Sequence, residues 1–273
     1  MEGRQSGGEF ASAPLLRVLN VVRHAVPAQW RARLRALLLP RQPLRFARPS
    51  GIHLRIANDT DWTMYTEVFR KGEYDSAIDR ALTLADRDRC LVVDLGANVG
   101  FFTLRVIDRA RSESRPCDVS VLAVEGSPRR IGDLRSRLIG DNALGSQVRV
   151  IEGLVGERSG MATLYEGPSH GDSSLFKRVE TTADGATLPF VDLSPLVARE
   201  PTIHLLKCDI EGAELRFIRT YRDLLSKTRV AVFELHEELC DTQMCRQLLR
   251  DYGFTHEDCI RRIGPYELYC VWR

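Results

Sequence analysis

The sequence predicts an α/β protein: a parallel sheet with helices on both faces, a C-terminal antiparallel hairpin, and a basic helical arm at the N-terminus. Three observations predict it. Apolar runs rich in Val, Ile and Leu alternate with helix-length segments from Cys90 onward. The chain ends "DCIRRIGPYELYCVWR" (258–273), two β-like runs around a Gly264–Pro265 turn. Before residue 50, leucine and valine mix with arginine at roughly helical spacing.

The arm, residues 1–50, comes first. Residues 1–48 hold nine arginines against Glu2 and Glu9, a surplus of +7, whereas the whole chain carries only +2. Segment 14–39, broken by Pro27, reads as helical, and residues 1–13 carry no fold signal. Its apolar runs are too short to span a bilayer, and charges interrupt every stretch that could serve as a signal-peptide core. Two expectations follow for it: helices packed on the body with their arginines outward, or a peripheral contact with anionic lipid or a cover for an acidic or amphiphilic substrate. Such an arm can also pair subunits into a homo-oligomer. Pro40, Pro43, Pro49 and Gly51 mark the boundary with a body over residues 51–273.

In the body, "IHLRIAN" (52–58) reads as a strand and 61–85 as one or two helices. Buried strands are expected at 90–96, 119–126, 148–155, 203–212 and 229–236, with helices at about 100–111, 128–140, 213–226 and 241–252. Residues 156–200, rich in Gly, Ser, Asp and Thr, read as an inserted hairpin or substrate-facing loops. The near-neutral charge argues against a nucleic-acid binder. Seven scattered cysteines without a CxxC pair suit reduced thiols in a cytoplasmic protein better than a disulfide frame or zinc site.

The chemistry starts at "VVDLGANVGFFTL" (92–104). Asp94 ends a strand, Gly96, Asn98 and Gly100 shape the turn, and a helix follows. Ligands of open α/β sheets collect outside the carboxyl ends of the strands, and the first βα turn is the usual place. "GANVG" is neither GxGxxG nor GxxxxGK[ST], so neither a pyrophosphate cradle nor a P-loop is expected. An acid there repels phosphate and welcomes an ammonium or sulfonium group. "LAVEGSP" (122–128) then ends the next strand in Glu125, a carboxylate able to accept both hydroxyls of a ribose. A phosphate-free nucleoside with an amino-acid portion satisfies both demands, as S-adenosylmethionine does. The plainer alternative is that these acids cap helices and the glycines only turn the chain.

"DLGANVGFFTL", "AVEGSP" and "LLKCDIEGAE", in this order, resemble the FkbM-type family of S-adenosylmethionine-dependent methyltransferases. "MYTEVFRKGEYDSAI" (64–78) and "VFELH" (232–236) are similar to its pattern as well, and the likeness covers roughly residues 52–273. The resemblance implies a Rossmann-like seven-stranded class I methyltransferase sheet. It also implies O-methylation of a small-molecule or glycan hydroxyl on a sugar, glycolipid or secondary metabolite. The cofactor-binding candidates are Asp94, Gly96, Asn98, Gly100, Phe102 and Thr103 at the first turn, Glu125, Gly126 and Ser127 at the second, Glu152 at the third, and Asp209. Val124 stands where the family often has Phe, and Glu152 and Leu154 where it often has Asn and Ala.

A hydroxyl nucleophile is weak and needs a base or a metal. Strand alternation groups Lys207, Asp209 and Glu211, and beside them Glu234 and His236. Asp209 and His236 are the leading catalytic pair, His236 as a neutral base with an ordinary pKa near 6.5. Lys207 and Glu234 are further catalytic candidates, and Glu214 reads as facing solvent or capping a helix. No spacing singles out a metal site, so a divalent cation is the less favoured alternative. In "SHGDSSLFKR" (169–178), His170, Ser173 and Ser174, with Glu211, are the substrate-side candidates. An N-methyltransferase and a non-catalytic cofactor-binding scaffold are the rival functions.

Overall fold

Helix α1 (Ala28–Leu38) is the first element of the computed structural model, which describes residues 28–85, 89–113, 117–165 and 185–273. Leu, Ala, Arg and Gln favour the helix, and Pro40 prevents its continuation. Strands β1 (Leu44–Ala47) and β2 (His53–Ile56) form an antiparallel hairpin pairing Leu44 with Ile56 and Phe46 with Leu54. Asn58 caps helix α2 (Asp59–Tyr65) by accepting the Asp61 N–H at 2.7 Å. The helix runs on as a wider turn over Thr66–Lys71. Tyr65 is buried edge-on against Phe46, with ring centroids 5.5 Å apart. Residue 50, where composition suggests a boundary, lies in the turn of this hairpin, whose paired strands keep both sides together. The first compact unit accordingly runs to Lys71, and the second spans Gly72–Arg273.

The second unit opens with α3 (Asp75–Leu84), β3 (Cys90–Leu95), α4 (Phe101–Ser112) and β4 (Val119–Glu125). It continues with α5 (Pro128–Arg135), extended as a wider turn to Asp141, and β5 (Val148–Glu152). The expected insertion is an antiparallel hairpin of β6 (Met161–Leu164) and β7 (Ala186–Pro189). Then come β8 (Ile203–Cys208), α6 (Glu214–Thr220), α7 (Arg222–Ser226), β9 (Thr228–His236), α8 (Thr242–Asp251), β10 (His256–Ile263) and β11 (Tyr266–Trp272).

The seven-stranded sheet has the order β10-β11-β9-β8-β3-β4-β5. Strands β9, β8, β3, β4 and β5 are parallel, and β11 returns antiparallel between β9 and β10. Every residue of β3 is buried, as a central strand covered on both faces requires. Strand order reverses between β3 and β8, which opens a crevice at their carboxyl ends. The run expected to extend over 203–212 stops at Cys208, because Glu211 (φ +56°) and Gly212 (φ +100°) turn the chain left-handed. Among the described residues, no helix is long and apolar enough to cross a membrane.

Candidate functional site

A cleft of about 540 Å³, open to solvent, lies outside the carboxyl ends of β3, β4, β5 and β8. Val124, Leu154, Val155 and Leu164 give it apolar walls, and Glu125, Asp209 and Glu211 give it three carboxylates. Gly96 shapes its base. A Cβ there would sit 1.8 Å from the Asp209 carbonyl oxygen, so the turn after β3 meets the loop after β8 only through glycine.

Glu125 is held from two sides. The Asn98 N–H donates to its Oε2 at 2.6 Å, and the Ser127 N–H to its Oε1 at 2.7 Å. Asn98 reaches this position with φ +52°, an uncommon backbone state for a residue with a side chain. Burial pushes the Glu125 pKa upward against Arg130 and the two N–H donors. Each oxygen keeps acceptor capacity beyond the N–H it already receives.

Beneath the cleft, Asp94 is fully buried. Its Oδ2 accepts the Thr103 hydroxyl at 2.7 Å, and its Oδ1 has no hydrogen-bond donor, with Lys207 Nζ 3.8 Å away. Lys207 donates to the Gly96 carbonyl at 2.8 Å and to Asp209 Oδ2 at 3.2 Å. Burial opposes its charge, but Asp209 and Asp94 outweigh burial and hold the ammonium more firmly than usual. Lys207 therefore braces β3 against β8, and its held charge leaves it no lone pair with which to accept a proton.

His236, at the end of β9, is 3% exposed and sits between two glutamates. Its Nε2 is 3.6 Å from Glu211 Oε2 and its Nδ1 is 3.7 Å from Glu214 Oε1. Burial would lower its pKa, but Glu214, then Glu211 and Asp209, raise it to about 9. With that pKa the ring carries a proton at neutral pH, where the sequence reading expects a neutral base. Asp209 spends an oxygen on Lys207 and acts on His236 only through its charge; Glu211 and Glu214 are the residues that flank the ring. Glu214 is wholly buried and does not face solvent. It accepts the N–H groups of Ile210 and Gly212, and so fixes the loop after β8.

Glu234, two residues before His236 on β9, is lifted to about 7 by burial and then by Asp209, against His236, Arg261 and Lys207. Glu211 is raised well above the usual carboxylate range, again by burial first and Asp209 second. A glutamate near neutrality beside a charged histidine can take a proton where the histidine cannot.

Of the remaining candidates, Gly126 lines the cleft, and Ser127 contributes its backbone N–H from a buried position. Gly100 starts α4, and a Cβ there would press on Leu134 and Leu138, so it serves helix packing. Phe102 is core, edge-on to Tyr74 at 5.1 Å. Glu152 is exposed and 3.7 Å from Arg135; the neighbouring Gly153, Leu154 and Val155 face the cleft instead. His170, Ser173 and Ser174 lie outside the described residues. Arg130, Leu164 and Ile210 line the cleft and escaped the sequence reading. For Arg130 the available signal was its place in the first turn of the helix after Glu125.

A sheet of this order, with its cleft outside β3, β4 and β8, is the class I methyltransferase fold. The family described as "Methyltransferase FkbM domain" matches residues 94–255, more than half of the chain, and the chain belongs to that family. The chain is similar to many solved structures, among them three methyltransferases. The METTL16 methyltransferase domain is 10% identical, covering 93% of this chain and 94% of that one, with a TM-score of 0.48. The methyltransferase FkbM from Methylobacillus flagellatus KT is 15% identical over 89% of this chain and 59% of its own, also at 0.48. Magnesium protoporphyrin IX methyltransferase from Synechocystis PCC 6803, solved with bound SAM, is 13% identical over 78% and 92%, at 0.43. No curated protein matches the chain.

Proposed function

We propose that the protein methylates a hydroxyl oxygen of a sugar, glycolipid or small metabolite, using S-adenosylmethionine. The observation that carries the cofactor assignment is Glu125, oriented by the Asn98 and Ser127 N–H groups at the wall of a glycine-turned cleft with the apolar side chains Val124, Leu154 and Val155 beside it. The residues present suit that cofactor. Glu125 accepts a ribose diol, Val124, Leu154 and Val155 cover an adenine, and the Gly96 turn above the Asp94 oxygen that lacks a donor suits a cationic amino-acid end. When bound, the cofactor supplies an electrophilic methyl group on a sulfonium.

The chain's own part is to position an acceptor and remove its proton. Asp209 and Glu211, at the cleft edge, accept hydrogen bonds from acceptor hydroxyls. Glu234, with a pKa near 7, takes the hydroxyl proton onto its carboxylate, and the His236 imidazolium balances the negative charge gathered there. An alcohol acceptor must lose its proton as it reacts, and a carboxylate of raised pKa can receive it.

The test is calorimetry with S-adenosylmethionine and its demethylated product, followed by methyl transfer to a panel of glycans and alcohols. Heat on cofactor addition and an O–CH3 signal in the product support the reading. No heat sinks the cofactor assignment, and transfer confined to amines sinks O-methylation.

A further inference from the structure

In the first unit, helix α1 turns a large apolar face to solvent. Trp30, Leu34 and Leu37 are 52%, 37% and 54% exposed, among the most exposed large apolar side chains described. Steps of four and three place them on one side of the helix. Three such groups in one stripe, one of them a tryptophan, are more than the scattered exposure of an ordinary surface.

The rim of the stripe is cationic. Arg33 and Arg41 lie beside it, in a segment, 28–48, whose sequence has no acid. The Arg33 guanidinium lies 5.2 Å above the Trp30 ring, and exposed Arg41 donates to the Leu37 carbonyl at 2.7 Å. Arg35 is set apart from them, neutralised by Asp59 at 2.5 Å within the same unit. An occupant must therefore be apolar in the middle and anionic at its edge.

We propose that α1 docks in the plane of an anionic phospholipid surface, with Trp30, Leu34 and Leu37 at the acyl boundary and Arg33 and Arg41 among the headgroups. A tryptophan beside arginines suits that interface, where its ring is half apolar and half wet. A second copy of the chain fits worse, since α1 against α1 sets arginine against arginine.

Co-sedimentation of the full chain with phosphatidylcholine vesicles, with and without phosphatidylserine, tests it. The expected result is binding to the mixed vesicles only, weakening as salt rises. Leu34→Ser with Leu37→Ser, and separately Arg33→Glu with Arg41→Glu, each reduce it at least about tenfold, with the circular dichroism spectrum unchanged. Trp30→Phe removes a blue shift in fluorescence that vesicles induce in the wild type. Failure to bind, equal binding to neutral vesicles, or binding unaffected by either double variant overturns the proposal. So does a dimer in light scattering that Leu34→Ser with Leu37→Ser dissociates without vesicle binding, which hands the face to a second copy. Binding to polyglutamate but not vesicles hands it to an acidic protein.

Discussion

His236 Nδ1 lies 3.7 Å from the fully buried carboxylate of Glu214, and this neighbour, more than any other, keeps the ring charged. The folded-state pKa of about 9 exceeds the ordinary histidine value of 6.5, so the pairing stabilises the fold fully below pH 6.5 and is lost as pH rises through 9. Denaturant titrations across that window are expected to show the wild type losing stability, and Glu214→Gln showing a flatter profile. Glu214→Ala also strips the acceptors from Ile210 and Gly212 and is expected to cost about 3–5 kcal/mol.

Glu234 and His236 together predict the pH profile of catalysis. Glu234 is ionised above about 7 and His236 stays charged below about 9, so kcat/KM should trace a bell between these limits. Glu234→Gln is expected to lower kcat by roughly 100- to 10,000-fold with little change in cofactor affinity. Rates unchanged in that variant would remove Glu234 from the role of base.

Glu125 bears on cofactor affinity alone. Glu125→Ala deprives the Asn98 and Ser127 N–H groups of their acceptor as well as the ligand of its own, and calorimetry should read roughly 10- to 100-fold weaker binding. Affinity equal to wild type would mean that the carboxylate only shapes the turns.

Gly96→Ala combines a left-handed φ of +72° with a Cβ 1.8 Å from the Asp209 carbonyl. Something in backbone must move, and the expected loss of stability is about 3 kcal/mol by denaturant unfolding. Cofactor binding should weaken with it, because the turn and the loop after β8 both face the cleft.

The first turn was legible because its signals are local. An acid at a strand end, then glycines, then a helix start are read from consecutive letters, and Gly96, Asn98, Glu125 and Gly126 do meet in one cleft. The partners of Thr103 and Ser127, Asp94 and Glu125, became visible only in three dimensions. Which residues after β5 face the cleft depends on where Gly153 (φ +149°) turns the chain, and a Cβ there would meet Val191 and the Pro189 carbonyl.

By itself the sequence determined the order of strands and helices, the antiparallel ending and the two strand-end acids, because burial periodicity and turn chemistry act over a few residues. Only the tertiary structure decided the ionisation of the acceptor side. His236 is charged, Glu234 stands near neutrality and Lys207 is a brace, since each state depends on burial and on carboxylates brought from other strands and loops. Charge in a protein interior is set by neighbours in space, which the linear order of residues does not reveal.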